Sequence, residues 1–265
     1  MKMKKNNLKK YSSLSNQIRA TILRASYECN ERTHIGGALS MVEILAVLYE
    51  SYIKKNGPNK FILSKGHGFL GLLSALYCKG FISKKKLSSF QKNGSELIAH
   101  PIVDIKNGIE SSNGSLGQGL SFACGIALSY QKRKKKGKIF VLVGDGECYE
   151  GSNWEAAITA TELNLNNLFL IVDCNNFQND GKINKQMNWS SLVKKWKGFG
   201  WNAIKGDGHN LQTVSNALKK IHNNKPTVFL AKTTKGKGVN FMERNNDWHH
   251  NRLTKNLYLQ ALKQI

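Results

Sequence analysis

Two groups of polar residues follow apolar runs near the middle of the chain. A Gly-Asp-Gly triplet at 144–146 comes directly after the run 139–143, and Asn175 follows the run 168–172. Carboxylate and amide oxygens suit a hard cation such as Mg²⁺, which completes its coordination with water and substrate phosphates. The glycines beside Asp145 allow a sharp turn and let backbone amides approach a phosphate. These residues predict a diphosphate group held through a magnesium ion.

The two apolar runs are predicted to be strands of a parallel sheet. Both have the length of a strand and are apolar throughout, which is typical of strands covered on both faces. The segments 60–63 and 227–231 are predicted to be strands as well, and helical spacing fills much of the remaining sequence. This alternation predicts an α/β fold, a doubly wound and mostly parallel sheet with helices on both faces.

The predicted sheet explains why Asp145 and Asn175 belong together. Ligands of open parallel sheets bind at the carboxyl ends of the strands, where both residues fall. They are about thirty positions apart, which fits one crossover helix between two strands. A Gly-Asp-Gly triplet alone is a weak signal, because it is also an ordinary turn and a second one occurs at 206–208.

Helical periodicity and stop signals predict six helices and a less regular end of the chain. A glycine-bearing loop at 31–40 ends in Ser40, a predicted helix cap, and the segment from Lys235 onward lacks regular patterning. The predicted helices cover 18–29, 41–52, the segment between a Gly-His-Gly turn and Gly80, a segment from about Gly117, 154–163 and 211–221.

Composition places the chain among reduced, non-membrane proteins. With 265 residues the chain is long enough to bury a substantial core, and its apolar runs are too short to span a bilayer. The basic start is not followed by an apolar stretch, so no secretory signal is expected. Five cysteines, odd in number and widely spread, predict free thiols in the cytoplasm rather than disulfides or a zinc site.

The formal net charge of +23 admits two interpretations. A nucleic-acid or anionic membrane surface is one, because lysine runs occur at 84–86 and 132–136. A solvated surface with some attraction for phosphorylated small molecules is the other. The second is favoured, since no aromatic residues alternate with the lysines as base stacking would require.

The order of several motifs resembles the transketolase family. The segments "THIGGALSMVEILAVLY", "ILSKGHG", "AHPIVDIKNGIESSNGSLGQGLSFACGIA", "GDGECYEGSNWEAA", "VDCNNFQNDG" and "KGKGVNFMERNNDWHH" follow one another as in that family and span about residues 14 to 255. More narrowly, the chain is similar to the N-terminal subunit of a split transketolase. The resemblance implies a thiamine diphosphate-binding domain at 11–265, preceded by a basic tail at 1–10.

The resemblance assigns the cofactor and its metal ion to particular residues. It implies that Asp145, Asn175 and the backbone carbonyl of Phe177 hold Mg²⁺, or another divalent ion such as Ca²⁺. It also implies that the Gly144-Asp145-Gly146 turn and His67 contact the diphosphate of thiamine diphosphate, with the Gly146 amide as a donor.

The resemblance also assigns catalytic histidines. Histidine titrates near neutral pH and suits repeated proton transfer at sugar hydroxyl and carbonyl groups. His34 and His100 are implied to line the channel for the donor sugar. One histidine of "DWHH" is implied to reach cofactor and substrate, and His249 is preferred over His250.

Three further positions have both a functional and a structural interpretation. By resemblance, the Gly114 carbonyl binds the aminopyrimidine amine and Leu116 packs against the cofactor rings. That segment is equally interpretable as a helix-capping turn. Glu150 resembles a glutamate that links two active sites of a dimer, but an acidic residue in a first helical turn is also favoured by the helix dipole.

The sequence differs from the family pattern at two positions and does not contain the family's pyrimidine-binding domain. Ile35 and Ser115 stand where the family commonly has proline. These changes are expected to loosen a loop and affect the sugar preference, while cofactor binding stays intact. The family's glutamate that activates the cofactor lies in a pyrimidine-binding domain absent from this sequence. Activity is therefore expected only with a C-terminal partner subunit, as an α2β2 assembly acting on sugar (phosphate) substrates.

The resemblance leaves alternatives for the function. The main prediction is transfer of a two-carbon ketol unit from a ketose to an aldose. Within the same cofactor chemistry, the alternatives are a synthase that decarboxylates a 2-oxo acid and a transketolase of a specialised sugar pathway. A basic protein that binds RNA or another anion on the same fold is the non-enzymatic alternative, and is disfavoured.

Overall fold

The polypeptide, described by a computed structural model over residues 5–220 and 224–265, alternates strands and helices along most of its length. The strands are β1 (Arg32–Thr33), β2 (Lys60–Leu63), β3 (Ile139–Gly144), β4 (Leu168–Cys174), β5 (Phe177–Gln178), β6 (Gly181–Lys182), β7 (Asn202–Asp207), β8 (Thr227–Lys232) and β9 (Asn251–Arg252). The helices are α1 (Lys5–Glu28), α2 (Ile35–Leu39), α3 (Val42–Ser51), α4 (Phe69–Cys78), α5 (Lys84–Leu87), α6 (Gln118–Lys132), α7 (Gly151–Glu162), α8 (Trp189–Gly198), α9 (Leu211–Lys219) and α10 (Lys255–Leu262).

Five of the strands form one parallel sheet in the order β2-β3-β4-β8-β7. This confirms the predicted α/β fold with a parallel sheet. The strand β7 was not predicted, because its residues are mostly half-buried at the edge of the sheet and only partly apolar. The second Gly-Asp-Gly triplet, at 206–208, lies at the end of this strand.

Helices cover both faces of the sheet, and successive strand residues point to opposite faces. Phe140 and Leu142 of β3 belong to one core, shared with α1 to α4 and α9. Val141 and Val143 belong to the other core, shared with α6, α7 and α8. All four side chains have 0 % exposure, which explains why the predicted strands are apolar at every position.

The first helix is longer than predicted. The predicted helix 18–29 is the second half of α1, whose Leu14, Ile18 and Ile22 are buried against α3 and α4. The first turns of α1 are formed by residues 5–10, which were predicted to be a basic tail. Residues 1–4 of that tail lie outside the described residues.

Ser40 does not cap a helix N-terminus, contrary to the prediction. The helix α3 begins at Val42 and is preceded by Met41. The Ser40 hydroxyl instead donates to Oδ2 of Asp173 at 2.5 Å, and it also lies 3.0 Å from the Gly37 carbonyl. The loop expected at 31–40 contains the short strand β1 and the helical turn α2.

The end of the chain is more regular than its pattern suggested. The strand β9 pairs antiparallel with β1, and α10 packs on α1. Tyr258 of α10 stacks on Tyr27 of α1 with ring centroids 4.6 Å apart. The predicted helix 211–221 ends at Lys219 in the structure, and its position 221 lies outside the described residues.

All five cysteines are free, as predicted. Within residues 5–220 and 224–265, none of the helices combines the length and the apolar character needed to cross a membrane.

Candidate active site

Asp145 and Asn175 lie where the sheet register brings neighbouring strand ends together. Gly144, the last residue of β3, pairs in register with Asp173 of β4. The backbone N–H of Asp145 donates to the Asp173 carbonyl at 3.1 Å, which continues the ladder by one residue. Asp145 and Asn175, two of the three predicted metal ligands, therefore lie at the carboxyl ends of neighbouring strands.

The carboxylate of Asp145 is buried and surrounded by backbone donors. Oδ1 accepts from the Gly146 N–H at 3.0 Å, and Oδ2 accepts from the Asn176 N–H at 2.6 Å. Burial, and next the negative charge of Asp173, raise the pKa of Asp145 to about 7. These two hydrogen bonds lower the pKa but do not offset the burial, so a cation beside this carboxylate would be stabilising.

Asn175 and Phe177 form a short turn above Asp145. The Asn175 amide donates from Nδ2 to Oδ2 of Asp173 at 3.2 Å, and its Oδ1 accepts from the Phe177 N–H at 3.1 Å. Asn176, between them, has a left-handed φ of 69°. Asn175 and Asp145 line the same cleft, and the Asn175 amide oxygen is held by the Phe177 N–H.

Asp173 and Lys65 form a buried ion pair that was not predicted as part of the site. Nζ of Lys65 lies 2.5 Å from Oδ2 of Asp173, and neither side chain is exposed. Thr233 and Ser40 also donate to the Asp173 carboxylate. Burial raises the pKa of Asp173, but Lys65 outweighs this effect and holds the pKa below its ordinary value.

Five histidines converge near these strand ends. The ring of His34 lies 4.4 Å from that of His250, 5.4 Å from His100, 5.5 Å from His249 and 6.0 Å from His67, between centroids. The rings of His67 and His249 are 5.5 Å apart. Four segments that are far apart in sequence supply this cluster, and all five histidines were singled out by motif.

The two adjacent histidines at 249 and 250 have different surroundings. Nδ1 of His249 lies 2.7 Å from Nζ of Lys235, which is 2 % exposed. An ammonium group can only donate, so Nδ1 of His249 accepts this hydrogen bond and Nε2 carries the ring proton. His250 is exposed and stacks on His34. Lys235 had no predicted role.

Burial and crowding with other basic groups lower the pKa of four histidines in this cluster. Burial, and next His250 and His249, lower the pKa of His34 to about 3. Burial and the Lys235 ammonium lower the pKa of His249 to about 4, and burial and Lys65 place that of His67 well below its ordinary value. The pKa of His100 is lowered by burial and by His250.

Lys235 is a second buried cation in the site. Its Nζ donates to Asn246 and His249, each at 2.7 Å. Burial and the charge of Lys65 lower the pKa of Lys235 to about 8. The site therefore holds two buried ammonium groups near a cluster of neutral imidazoles, which suits an anionic ligand.

Glu147 connects three loops of the site and was missed by the sequence analysis. Its Oε1 accepts from the Ser64 hydroxyl at 2.5 Å and from the Gly117 N–H at 2.8 Å. Its Oε2 accepts from the Gly144 N–H at 3.2 Å. Burial raises the pKa of this carboxyl group in spite of these donors. The alternation of acidic and apolar residues in "GDGECYEG" gave no sign of which glutamate is buried.

Gly114, Leu116 and Glu150, the remaining predicted residues, are exposed or half-buried. Gly114 is exposed, and Leu116 is half-buried. Glu150 is exposed, precedes the first residue of α7 and makes no capping hydrogen bond with its side chain. Glu150 does contact the turn before α6, because a Cβ on Gly117 would lie 2.7 Å from the Glu150 Cβ.

An open cleft of about 960 Å³ adjoins the strand ends. Asp145, Asn175 and Phe177 line one side of it, and the basic residues Lys182, Lys232, Lys237 and Arg244 line much of the rest. Within the described part of the chain, no group of three or more His, Cys, Asp or Glu side chains is arranged to hold a metal ion by itself.

Comparison with known proteins identifies related sequences and structures. Residues 11–264 match the family described as "Transketolase, thiamine diphosphate binding domain". The chain is 40 % identical over 225 residues to an apulose-4-phosphate transketolase subunit of Actinobacillus succinogenes, covering 82 % of each. It is 36 % identical over 241 residues to a 6-deoxy-6-sulfo-D-fructose transketolase subunit of a Clostridium species, covering 88 % of each.

A solved transketolase from Campylobacter jejuni has the same fold. It superposes with a TM-score of 0.83 at 26 % sequence identity. The match covers 99 % of this chain but only 43 % of the Campylobacter chain.

Proposed function

Because this chain belongs to the transketolase family, we propose that it is the thiamine diphosphate-binding subunit of a transketolase-type transferase. The enzyme moves a two-carbon ketol unit from a ketose donor to an aldose acceptor. The observation that carries the proposal is the convergence of His34, His67, His100 and His249 beside the strand ends that hold Asp145 and Asn175.

The residues at the strand ends fit the cofactor's metal ion. Two buried carboxylates, Asp145 and Asp173, lie at adjacent strand ends, and Lys65 pairs with only one of them. Asp145, Asn175 and the Phe177 carbonyl would supply oxygen ligands to Mg²⁺ or Ca²⁺. These ions accept such ligands and take the rest from a diphosphate.

Cationic and polar groups around the metal position fit the diphosphate. Lys235, His249 and His67 would face the anion, which favours their donating forms. The Gly146 N–H already donates to Asp145, so a bound diphosphate would share or replace that hydrogen bond. When bound, thiamine diphosphate supplies the electron sink for the two-carbon unit.

The neutral histidines would orient the sugar and move its protons. A pKa of about 3 makes His34 a weak base, so this ring is suited to hold a hydroxyl by hydrogen bonding. His100 is only half-buried, and its pKa is lowered by burial and by His250, which leaves it the better candidate for proton transfer. His249, oriented by Lys235, presents Nε2–H as a donor.

A partner subunit would complete the active site. Two relatives carry "subunit" in their names, and the Campylobacter transketolase is more than twice as long as the part matched here. Exposed apolar residues at Ile102, Val103 and Ile105 flank His100 and would be covered by a partner's pyrimidine-binding domain. Phe122 of α6 and Ile158 of α7, on helices that pack together, would join two copies into an α2β2 assembly.

The substrates would be anionic sugars of a specialised pathway. The relatives named for apulose 4-phosphate and 6-deoxy-6-sulfo-D-fructose both act on sugars with an anionic group, as their names state. The basic cleft and the net charge of +23 favour the same class here. Free thiols at all five cysteines favour a cytoplasmic setting.

Purification from the chain's own cells tests the proposal. The chain is affinity-tagged and isolated with thiamine diphosphate and Mg²⁺ in the buffer, and the co-eluting chains are identified. A stoichiometric partner of about 300 residues with a pyrimidine-binding domain is expected. The complex should then convert ketose phosphates or sulfonates with multiple turnovers only when an acceptor aldose is present to take up the two-carbon unit. Co-elution of RNA without such a partner would favour the binding-protein alternative.

A further inference from the structure

The loop that follows β8, residues 233–238, carries Lys235 and is attached to the site at several points. The Thr233 hydroxyl donates to the Asp173 carboxylate, and the Gly236 N–H donates to the Gly36 carbonyl at 3.0 Å. Lys235 itself bonds to His249 at 2.7 Å. We call this segment the β8 loop. Its position determines where the Lys235 ammonium and the His249 ring lie.

His209 holds the β8 loop just before Lys235. Its Nε2 accepts a hydrogen bond from the Thr234 N–H at 2.8 Å. Because Nε2 accepts, the ring proton is on Nδ1, which lies 2.8 Å from Oε2 of Glu43 and donates to it. The ring therefore links Glu43, on helix α3, to the backbone of Thr234 through two hydrogen bonds.

Arg19 holds the β8 loop just after Lys235. Its Nε donates to the Lys237 carbonyl at 3.3 Å, and its Nη2 pairs with Oε1 of Glu43. A Cβ on Gly238 would lie 2.5 Å from the Arg19 Nε, so the loop backbone passes directly over the guanidinium group. One carboxylate, on Glu43, thus orients both side chains that grip the loop.

The three side chains form a buried network in which the charges are paired. Their exposed fractions are 9 % for Arg19, 10 % for Glu43 and 15 % for His209. Burial raises the pKa of Glu43, but the hydrogen bond from His209 and the charge of Arg19 outweigh it and lower the pKa. A buried, satisfied network of this kind has one preferred geometry and fixes what it contacts.

We propose that Arg19, Glu43 and His209 are positioning residues that clamp the β8 loop on both sides of Lys235 and so place Lys235 and His249 for binding of the cofactor's diphosphate. This inference rests on the proposed function, because it takes thiamine diphosphate as the ligand. None of the hydrogen bonds of Arg19, Glu43 or His209 described above goes to a proposed metal ligand, although His209 lines the cleft beside them. The network's contacts to the backbone of Thr234 and Lys237 connect it to Lys235.

Two substitutions of His209 by amide residues distinguish loss of the clamp from a general loss of stability. His209→Asn keeps a donor near the position of Nδ1, towards Glu43, but does not reach the Thr234 N–H. His209→Gln places an amide oxygen near the position of Nε2 and can accept from Thr234. The two variants are compared with the wild type in the complex with the partner subunit, by calorimetric titration of thiamine diphosphate at saturating Mg²⁺.

We expect His209→Asn to weaken cofactor binding about tenfold, the size of one hydrogen bond in a charged network, and His209→Gln to stay within about threefold of the wild type. kcat at saturating cofactor should change by less than about threefold in both variants. A high concentration of thiamine diphosphate fills the cofactor site by mass action even when its affinity is reduced. Equal affinities of the two variants, or an unchanged affinity of His209→Asn, would overturn the clamp.

Asn210→Ala is the matched control. Asn210 follows His209 and caps α9 by accepting from the Thr213 N–H at 2.9 Å, so its loss should lower the melting temperature by about 2–4 °C. Its cofactor affinity should equal that of the wild type. An equal loss of affinity in the control would also overturn the clamp. The wild-type titration comes first: if the wild-type complex does not bind thiamine diphosphate, the proposed function itself fails.

Discussion

Lys65 and Asp173 form an ion pair in which Nζ lies 2.5 Å from Oδ2 and neither side chain has exposed surface. Removal of the lysine charge leaves a buried carboxylate without its cation. We therefore expect Lys65→Met to lower the free energy of unfolding by about 3–5 kcal/mol. Urea denaturation of the isolated chain measures this cost, and Lys65→Met combined with Asp173→Asn should recover part of it.

A second lysine provides the control for that prediction. Lys86 and Asp104 are also 2.5 Å apart, but both side chains are roughly a quarter exposed. Solvent screening should limit the cost of Lys86→Met to about 1 kcal/mol or less. Similar costs for Lys65→Met and Lys86→Met would show that burial of the Lys65 pair does not govern its contribution.

The two Gly-Asp-Gly triplets allow a matched test of the metal site. Asp145 directly follows β3 and accepts from the Gly146 N–H at 3.0 Å. Asp207 is the last residue of β7 and accepts from the His209 N–H at 2.8 Å. Asp145→Asn should abolish detectable Mg²⁺-dependent binding of thiamine diphosphate in the assembled complex, because a carboxylate ligand is lost. Asp207→Asn keeps an acceptor oxygen and should bind as the wild type does. Isothermal titration measures both, and wild-type affinity in Asp145→Asn would contradict the metal assignment.

The positions that could be predicted from sequence depend on local patterns. The fully apolar runs give β3 and β4, and their ends locate Asp145 and Asn175 without any knowledge of the third dimension. The histidines were found through motifs, since nothing in their local spacing shows that His34 and His250 stack at 4.4 Å. Only the fold brings these distant segments together.

The positions that sequence missed depend on long-range pairing of charges. Lys65, Glu147 and Lys235 look like ordinary surface residues in a chain with 40 Lys and Arg, yet all three are buried. A charged side chain is buried only when its partners are in place, and those partners lie on other loops. Ser40 was misassigned for the same reason: its hydroxyl binds Asp173, more than a hundred residues away, instead of the adjacent helix.

The histidine cluster predicts sensitivity to acid. His34, with a pKa of about 3, and His249, with one of about 4, stay neutral in the folded chain, whereas the unfolded chain takes up these protons near the ordinary value of 6.5. The unfolded state therefore binds more protons between about pH 4 and 6.5, and the free energy of unfolding falls as pH falls through this window. Thermal unfolding between pH 5 and 7 measures the slope.

His34→Asn isolates one contribution to that slope. Asp145, whose raised pKa of about 7 gives a slope of opposite sign, is present in both proteins and cancels in the comparison. The variant should lose less stability than the wild type on acidification from pH 7 to 5. Parallel stability curves for the two proteins would show that burial of His34 is not the cause.

Gly117, which precedes α6, should not tolerate substitution by alanine. Gly125, within α6, should tolerate it. Gly117 has a φ of +85°, and a Cβ there would lie 2.4 Å from the Ser152 Oγ and 2.7 Å from the Glu150 Cβ. Strain and overlap together should make Gly117→Ala cost about 2–4 kcal/mol of stability.

A Cβ on Gly125, in the exposed interior of α6, meets nothing within 4 Å, so Gly125→Ala should stabilise the chain by about 0.5–1 kcal/mol. Denaturation midpoints of the two alanine variants at equal m-values measure the difference. Because the Gly117 N–H also donates to Glu147 at 2.8 Å, a shift of this turn should reach the Gly144 N–H that Glu147 holds. A Gly117→Ala variant as stable as the wild type would mean that the turn relaxes without disturbing β3.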